Sequence, residues 1–186
     1  DTTGTITINK VTDDARIRVN NTFTIKNATV ISDMYITFLV NSGNLIFDNA
    51  NINVNNTNAA SFATISKSAA VDTSIELVDT TITTNAYYAL AVNGVNGKVN
   101  IKGSTINVNT VNSVNASIAI LMNKGQSLDI DSESVINMSR VGTSSAMTQA
   151  IHIGDGSTAI ANIAGEIAFV GTNRTSAAGV VMYGAK

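Results

Sequence analysis

An all-β fold is predicted for this chain: a right-handed parallel β-helix of about six coils. Three observations carry that expectation. The first is a recurring two-part phrase of apolar residues that alternate with polar ones, the period-2 mark of a strand with one buried face. Val99-Asn100-Ile101 followed by Ile106-Asn107-Val108 is its clearest copy. The same phrase recurs as Phe23/Ile25 then Val30, Leu45/Phe47 then Ile52/Val54, Ile75/Leu77 then Ile82, and Leu128/Ile130 then Val135 or Ile136. Ala161/Ile163 with Ile167/Phe169 is a weaker last copy. The second observation is a turn column two places after the first apolar pair: Asn27, Asn49, Asp79, Gly103, Ser132 and Gly165. A strand that turns sharply without a hairpin needs a residue at positive φ, which Gly, Asn and Asp adopt at least cost. Ser132 does not fit, so the fifth turn should differ or be longer by a residue. The third is a second strand phrase after each copy: Ile36/Phe38/Val40, Phe62 to Ile65, Tyr88/Leu90/Val92, Ile118/Ile120/Met122, Ile151/Ile153 and Val180 to Tyr183.

Composition agrees with a stacked solenoid. Asn, Thr and Ser make up about a third of the chain, which suits stacked turns and solvated strand faces. Proline is absent, as expected where strands pair on both edges. Cysteine is absent too, which removes a disulfide framework, a thiolate metal site and a cysteine nucleophile. The net charge of −2, with 13% of residues charged, offers no basic field for nucleic acid or an anionic membrane. No apolar run approaches the length that spans a bilayer, so membrane insertion is not expected.

Taken in order, residues 1–22 hold two short alternating phrases, Thr5-Ile6-Thr7-Ile8 and Ile17-Arg18-Val19. They read as an incomplete leading coil or a cap. The following repeats place Ile25, Phe47, Leu77, Ile101, Ile130 and Ile163 in one stacked inward column. One corner is short and often glycine-bearing, as in Asn41-Ser42-Gly43, Asn93 to Gly97 and Asn123-Lys124-Gly125. Another varies in length, with Asn55–Ser61, Thr110–Ser117, Arg140–Gln149 and Thr172–Gly179 as its longer members. In repeat proteins such insertions gather on one edge and often form the binding face. Residues 1–186 form a single domain by this reading. The start at Asp1 and the blunt end at Ala185-Lys186 read as those of a monomeric module cut from a longer polypeptide.

The residues with chemistry are few. His152, the single histidine, lies between Ile151 and Ile153 and is expected to point outward and stand idle in solvent. With no second His or Cys beside it, no metal site follows. Asp129, Asp131 and Glu133 alternate and are expected to share one solvated face rather than hold calcium. Tyr35, Tyr87 and Tyr88 could offer rings to a sugar, with at least one of the adjacent pair expected in the core. The Thr-rich stretch Thr80 to Thr84 would suit ice only within a flat, repeated Thr array, which the coils are too irregular to supply. Lys26, Lys67, Lys98, Lys102, Arg140 and Arg174 fall at non-equivalent places, and no paired carboxylates recur in adjacent coils. Neither the base-plus-calcium set of a polysaccharide lyase nor the carboxylate pair of a hydrolase is recognisable. The chain is therefore expected not to be an enzyme and to need no cofactor.

The stacked phrase, as in Asn44-Leu45-Ile46-Phe47-Asp48-Asn49-Ala50-Asn51-Ile52-Asn53-Val54, resembles the pectate-lyase-like β-helical modules of bacterial surface adhesins, especially the wall-anchored proteins of Gram-positive bacteria. The resemblance lies in the pattern of apolar and turn residues and covers most of the chain. It implies a secreted adhesion module displayed at the cell surface or cell wall, without lyase activity. The expected partner is a glycan or a host or matrix protein held on a lateral face, with Tyr87 and His152 outward on it. A passive stalk projecting another domain is the alternative use of the same coils, and a polysaccharide lyase or hydrolase a further one.

Overall fold

Every recurring apolar phrase becomes a strand. The computed structural model describes residues 4–9, 16–55, 62–67, 72–93, 96–111, 117–123, 125–141, 147–154, 160–170 and 177–182. In chain order the strands are β1 (Gly4–Ile8), β2 (Ile17–Val19), β3 (Phe23–Lys26), β4 (Ala28–Ser32), β5 (Ile36–Val40), β6 (Gly43–Asp48) and β7 (Asn51–Val54). They continue as β8 (Ala63–Lys67), β9 (Thr73–Val78), β10 (Thr81–Thr84), β11 (Tyr88–Val92), β12 (Gly97–Lys102), β13 (Thr105–Val111) and β14 (Ser117–Met122). The last six are β15 (Ser127–Ile130), β16 (Val135–Val141), β17 (Thr148–Ile153), β18 (Ile160–Ile163), β19 (Glu166–Val170) and β20 (Ala177–Met182).

Each strand pairs in parallel with the strand three places away, which closes the chain into a parallel β-helix of about six coils. Sheet A runs β1-β4-β7-β10-β13-β16-β19, sheet B runs β2-β5-β8-β11-β14-β17-β20, and sheet C runs β3-β6-β9-β12-β15-β18. Residues 1–22 thus contribute a leading coil through β1 and β2, which pair with β4 and β5. In sheet C the register stacks Ile25, Phe47, Leu77, Ile101, Ile130 and Ile163 as one column. All but Ile163 are buried, and Ile163 packs against the same core.

The corner from sheet C to sheet A carries the turn column. Asn27, Asn49, Asp79 and Gly103 all have φ near +50°, the left-handed region that these residues enter most cheaply. The fifth turn is longer by one residue. Asp131 replaces the left-handed residue there, accepting bonds at its carboxylate from the Gly103 amide (3.0 Å), the Glu133 amide (3.2 Å) and the Ser134 hydroxyl (2.6 Å). The extra residue makes Ile136 the buried partner of Ile106 and turns Val135 outward. Gly165 corrects the column in a second way, because its φ is not positive. A side chain there would meet the Ser134 carbonyl oxygen at 2.6 Å and the Asp131 carbonyl oxygen at 2.9 Å, so the glycine answers close backbone approach over the lengthened turn.

Sheet B departs from simple alternation. Its pairing skips Thr37, Thr64, Ala89, Ala119 and Ala150, and the core includes both members of Ala89/Leu90, Ala119/Ile120 and Ala150/Ile151. Two consecutive residues face inward at this bend, so the residue before it leaves the core cluster, although Ala63, Ile118 and Gln149 are still buried there. Thr37 and Thr64 satisfy their hydroxyls across the corner on Ser32 (3.0 Å) and Thr84 (2.9 Å).

Candidate functional site

The lateral surface is built from the residues that the core leaves out, and the three sheets present different chemistry. Sheet A alternates buried Val30, Ile52, Ile82 and Ile106 with outward Thr29, Asn51, Thr81 and Thr105 on one side and Asn53, Thr83, Asn107 and Asn137 on the other. Asn137 donates to Asn107 at 2.9 Å and Asn107 to Thr83 at 3.3 Å, a ladder from coil to coil. Thr81 and Thr83 lie beside Asn51 and Asn53, so the Thr pair does not repeat as an array. Sheet C is charged outside, with Lys26 paired to Asp48 at 2.7 Å and Lys102 to Glu76 at 3.7 Å.

The corner from sheet A to sheet B holds an aromatic strip. Tyr35 and Phe62 immediately precede β5 and β8, and Tyr88 opens β11. The Tyr35 and Phe62 rings stack with centroids 5.8 Å apart, and Phe62 meets the Tyr88 ring edge-to-face at 5.1 Å. Tyr35 is 43% exposed and is the outermost ring. Burial, and then the neighbouring Tyr35, push the Tyr88 phenol above its ordinary value, so it stays a neutral hydroxyl. The adjacent tyrosines differ from expectation: Tyr87 and Tyr88 are both half-buried and neither joins the core. The cause is the bend that makes Ala89 and Leu90 the inward pair. The length-variable segments also join sheet A strands to sheet B strands, so they belong to this same edge. Of them, residues 56–61, 112–116, 142–146 and 171–176 lie outside the described residues.

His152 points outward between Ile151 and Ile153 as expected, but it is half-buried rather than free in solvent. Its Nδ1 lies 2.7 Å from Gln149 Oε1, and burial holds its pKa below the ordinary 6.5. The structure does not bring it to the tyrosines. His152 sits two coils and three residues from Tyr88, about 14 Å by strand spacing and rise. Asp129, Asp131 and Glu133 do not share a face either: Asp129 is outward on β15, while Asp131 and Glu133 lie in the turn. Among the described residues no three His, Cys, Asp or Glu side chains gather as metal ligands.

A second feature was missed in the sequence. At the corner from sheet B to sheet C, a groove of about 540 Å³ is lined by Asp72, Thr73, Ser74, Gly97, Lys98 and Ser127, among others. Lys67 is buried behind it at 1% exposure, aligned with Val40 and Val92 in the inward column of sheet B. A side chain on Gly97 would overlap Gln126 Oε1 and come within 3.0 Å of Lys67 Cε, so that glycine admits the lysine stem. Burial lowers the Lys67 pKa and the Asp72 charge partly restores it. Lys67 sits where its phrase calls for an apolar residue, and that mismatch was the available signal.

No family model matches the chain, and no curated protein or solved structure matches it.

Proposed function

We propose that this chain is a non-catalytic adhesion module of a bacterial cell surface, binding a glycan through its A–B edge. The observation that carries the reading is the aromatic strip of Tyr35, Phe62 and Tyr88, which places one exposed ring on the edge where the connections vary in length. A tyrosine ring offers an apolar face to the C–H face of a sugar and a hydroxyl to its polar rim. The ring is held by its neighbours, so little side-chain freedom remains to be lost on binding. Uncharged Asn and Thr side chains on sheet A extend a surface that can exchange hydrogen bonds with hydroxyls without selecting for charge. The resemblance to β-helical surface adhesins favours the same use and an extracellular place at the cell wall.

A glycan and matrix-protein array tests the reading. Binding to at least one glycan is expected, with Tyr35→Ala weakening it by about tenfold, and Tyr87→Ala and His152→Ala serve to map the edge. Binding to matrix protein alone would change the partner class. Binding nowhere would leave the passive stalk as the better reading. Turnover of pectin, alginate or a glycosaminoglycan above a heat-killed control, with or without calcium, would overturn the non-enzymatic assignment.

A further inference from the structure

We propose that the outer face of sheet A seats a neutral, linear polysaccharide chain, laid along the solenoid axis across successive coils. This rests on the reading of the chain as a glycan-binding module and names the form of ligand that it takes. Ile52 and Val54 of β7 are buried, as are their counterparts in β10, β13 and β16. The alternate positions of 51–55, 81–85, 105–109 and 135–139 therefore face out. Eleven of those twelve are Asn, Thr or Ser, Val135 is the other, and none is charged. Solvation alone does not ask for this. On the same coils sheet C turns Glu76, Lys98, Lys102 and Asp129 outward, so charge is kept off one face and placed on another. Asn is also a poor strand former, and the row Asn51-Ile52-Asn53-Val54-Asn55 gives up strand propensity to hold its amides.

The ladder on this face orients those amides without exhausting them. Asn107 donates one N–H to Thr83 at 3.3 Å and accepts one bond from Asn137 at 2.9 Å. A primary amide has two N–H donors and two lone pairs, so one of each lies beyond the ladder. Because the ladder already fixes the side chain, little freedom is lost when a ligand takes the remainder. The column at the A–B corner repeats the arrangement, with Asn85 donating to Asn55 at 3.0 Å. A groove of about 430 Å³ crosses β7, β10 and β13 here, lined by Asn53 and Thr83 from one column and Asn55, Asn85 and Asn109 from the other. Along it, equivalent pairs of side chains return at every coil, about 4.8 Å apart. A polymer of like units meets like chemistry at each step, an advantage that a single sugar cannot use. An anionic polymer would find no cation on the face to pair with. The groove also leads to the aromatic strip, since Asn85 stands three residues before Tyr88.

The test is an NMR titration of the whole chain that follows backbone amides and asparagine side-chain NH2 signals. The probes are cello-, manno- and N-acetylchito-oligosaccharides of increasing length, with oligogalacturonates as the anionic comparison. At least one neutral series should shift the signals of Asn53, Thr83, Asn107 and Asn109. Its affinity should rise roughly threefold or more for each unit added from the dimer to the tetramer. Asn107→Asp replaces an N–H donor with a charge at nearly constant size and should weaken tetramer binding by about tenfold. Asn100→Asp, the same change on the outer face of sheet C, should leave it unaltered. No neutral series shifting these signals, a monomer bound as tightly as the tetramer, equal weakening by the two variants, or oligogalacturonate bound more tightly than the neutral chains would each overturn the proposal. Glycan binding that Tyr35→Ala removes and Asn107→Asp leaves intact would keep the aromatic edge and discard this face. Binding that Asn107→Asp weakens and Tyr35→Ala leaves intact would keep the face and discard the edge.

Discussion

At the scale of single residues, His152 shows how strand parity and burial decide a side chain's chemistry. Ile151 and Ile153 enter the core, which turns the imidazole outward, yet the outer surface of sheet B leaves it half-buried against Gln149. Burial disfavours the imidazolium, so its pKa in the fold lies below the 6.5 of the unfolded chain. Above that value both states are neutral and the full stability is present. As the pH falls through it, the unfolded chain takes up the proton first, and stability is lost down to the folded pKa. Denaturant unfolding measured from about pH 7 to about pH 5 should show this loss. His152→Gln should reduce it; equal slopes for the two proteins would contradict the account. Asp131 is the opposite case. The Ser134 hydroxyl, with the amides of Gly103, Glu133 and Ser134, keeps its carboxyl below the ordinary range despite some desolvation.

Among the elements, the C–A corner sets the regularity of the stack. Asn49 does two jobs there: it takes φ +51°, and its Nδ2 donates to Asn27 Oδ1 at 2.8 Å. Its amide also reaches the Val78 carbonyl of the next coil at 3.0 Å. Glycine keeps the backbone conformation and loses the side-chain bond, whereas alanine loses both. Asn49→Gly should therefore cost about 1 kcal/mol and Asn49→Ala about 2 kcal/mol in urea unfolding. Alanine no worse than glycine would mean that the left-handed turn is not under strain. Inside the corner a buried hydroxyl ladder runs beside this one, with the Ala50 amide on Thr80 Oγ1, the Thr80 amide on Ser104 and the Ser104 amide on Ser134. The lengthened fifth turn keeps that ladder in register, because Ser134 falls where Ser104 does one coil before.

For the whole molecule, stability is a sum over neighbouring coils, and the coils are not equal. Ile52, Ile82, Leu90, Val99 and Ile106 in the middle of the stack are fully buried. In the last coil Ile160 is 65% exposed, Val170 59% and Met182 56%, and β18, β19 and β20 each pair on one edge only. Amide exchange should accordingly be slowest in β7 to β13 and fastest in β18 to β20. Uniform protection along the stack would show that the coils unfold as one unit. The same axial order separates the surface chemistry by face. Rings stand at the A–B edge, neutral amides and hydroxyls on sheet A, and ion pairs on sheet C. A rigid solenoid can present all of them at once because none of them carries the core.

Local pattern alone determined the class of fold, the recurring phrases that become strands and the stacked column from Ile25 to Ile163. A period of two and a turn residue that tolerates positive φ are properties of neighbouring residues. It also located the odd fifth turn, since Ser132 lacks the conformational ease of Asn or Gly. Tertiary structure decided the rest. The bend in sheet B depends on how consecutive strands meet at a corner, so the placement of Tyr88 outside the core as well as Tyr87 was not legible. The left-handed reading of Gly165 failed because its need for glycine comes from a carbonyl one coil away. The groove at Thr73 was hidden for a related reason. Gly43 and Gly97 are 30 and 24 residues from Thr73 along the chain, and only the parallel register sets the three side by side at this corner.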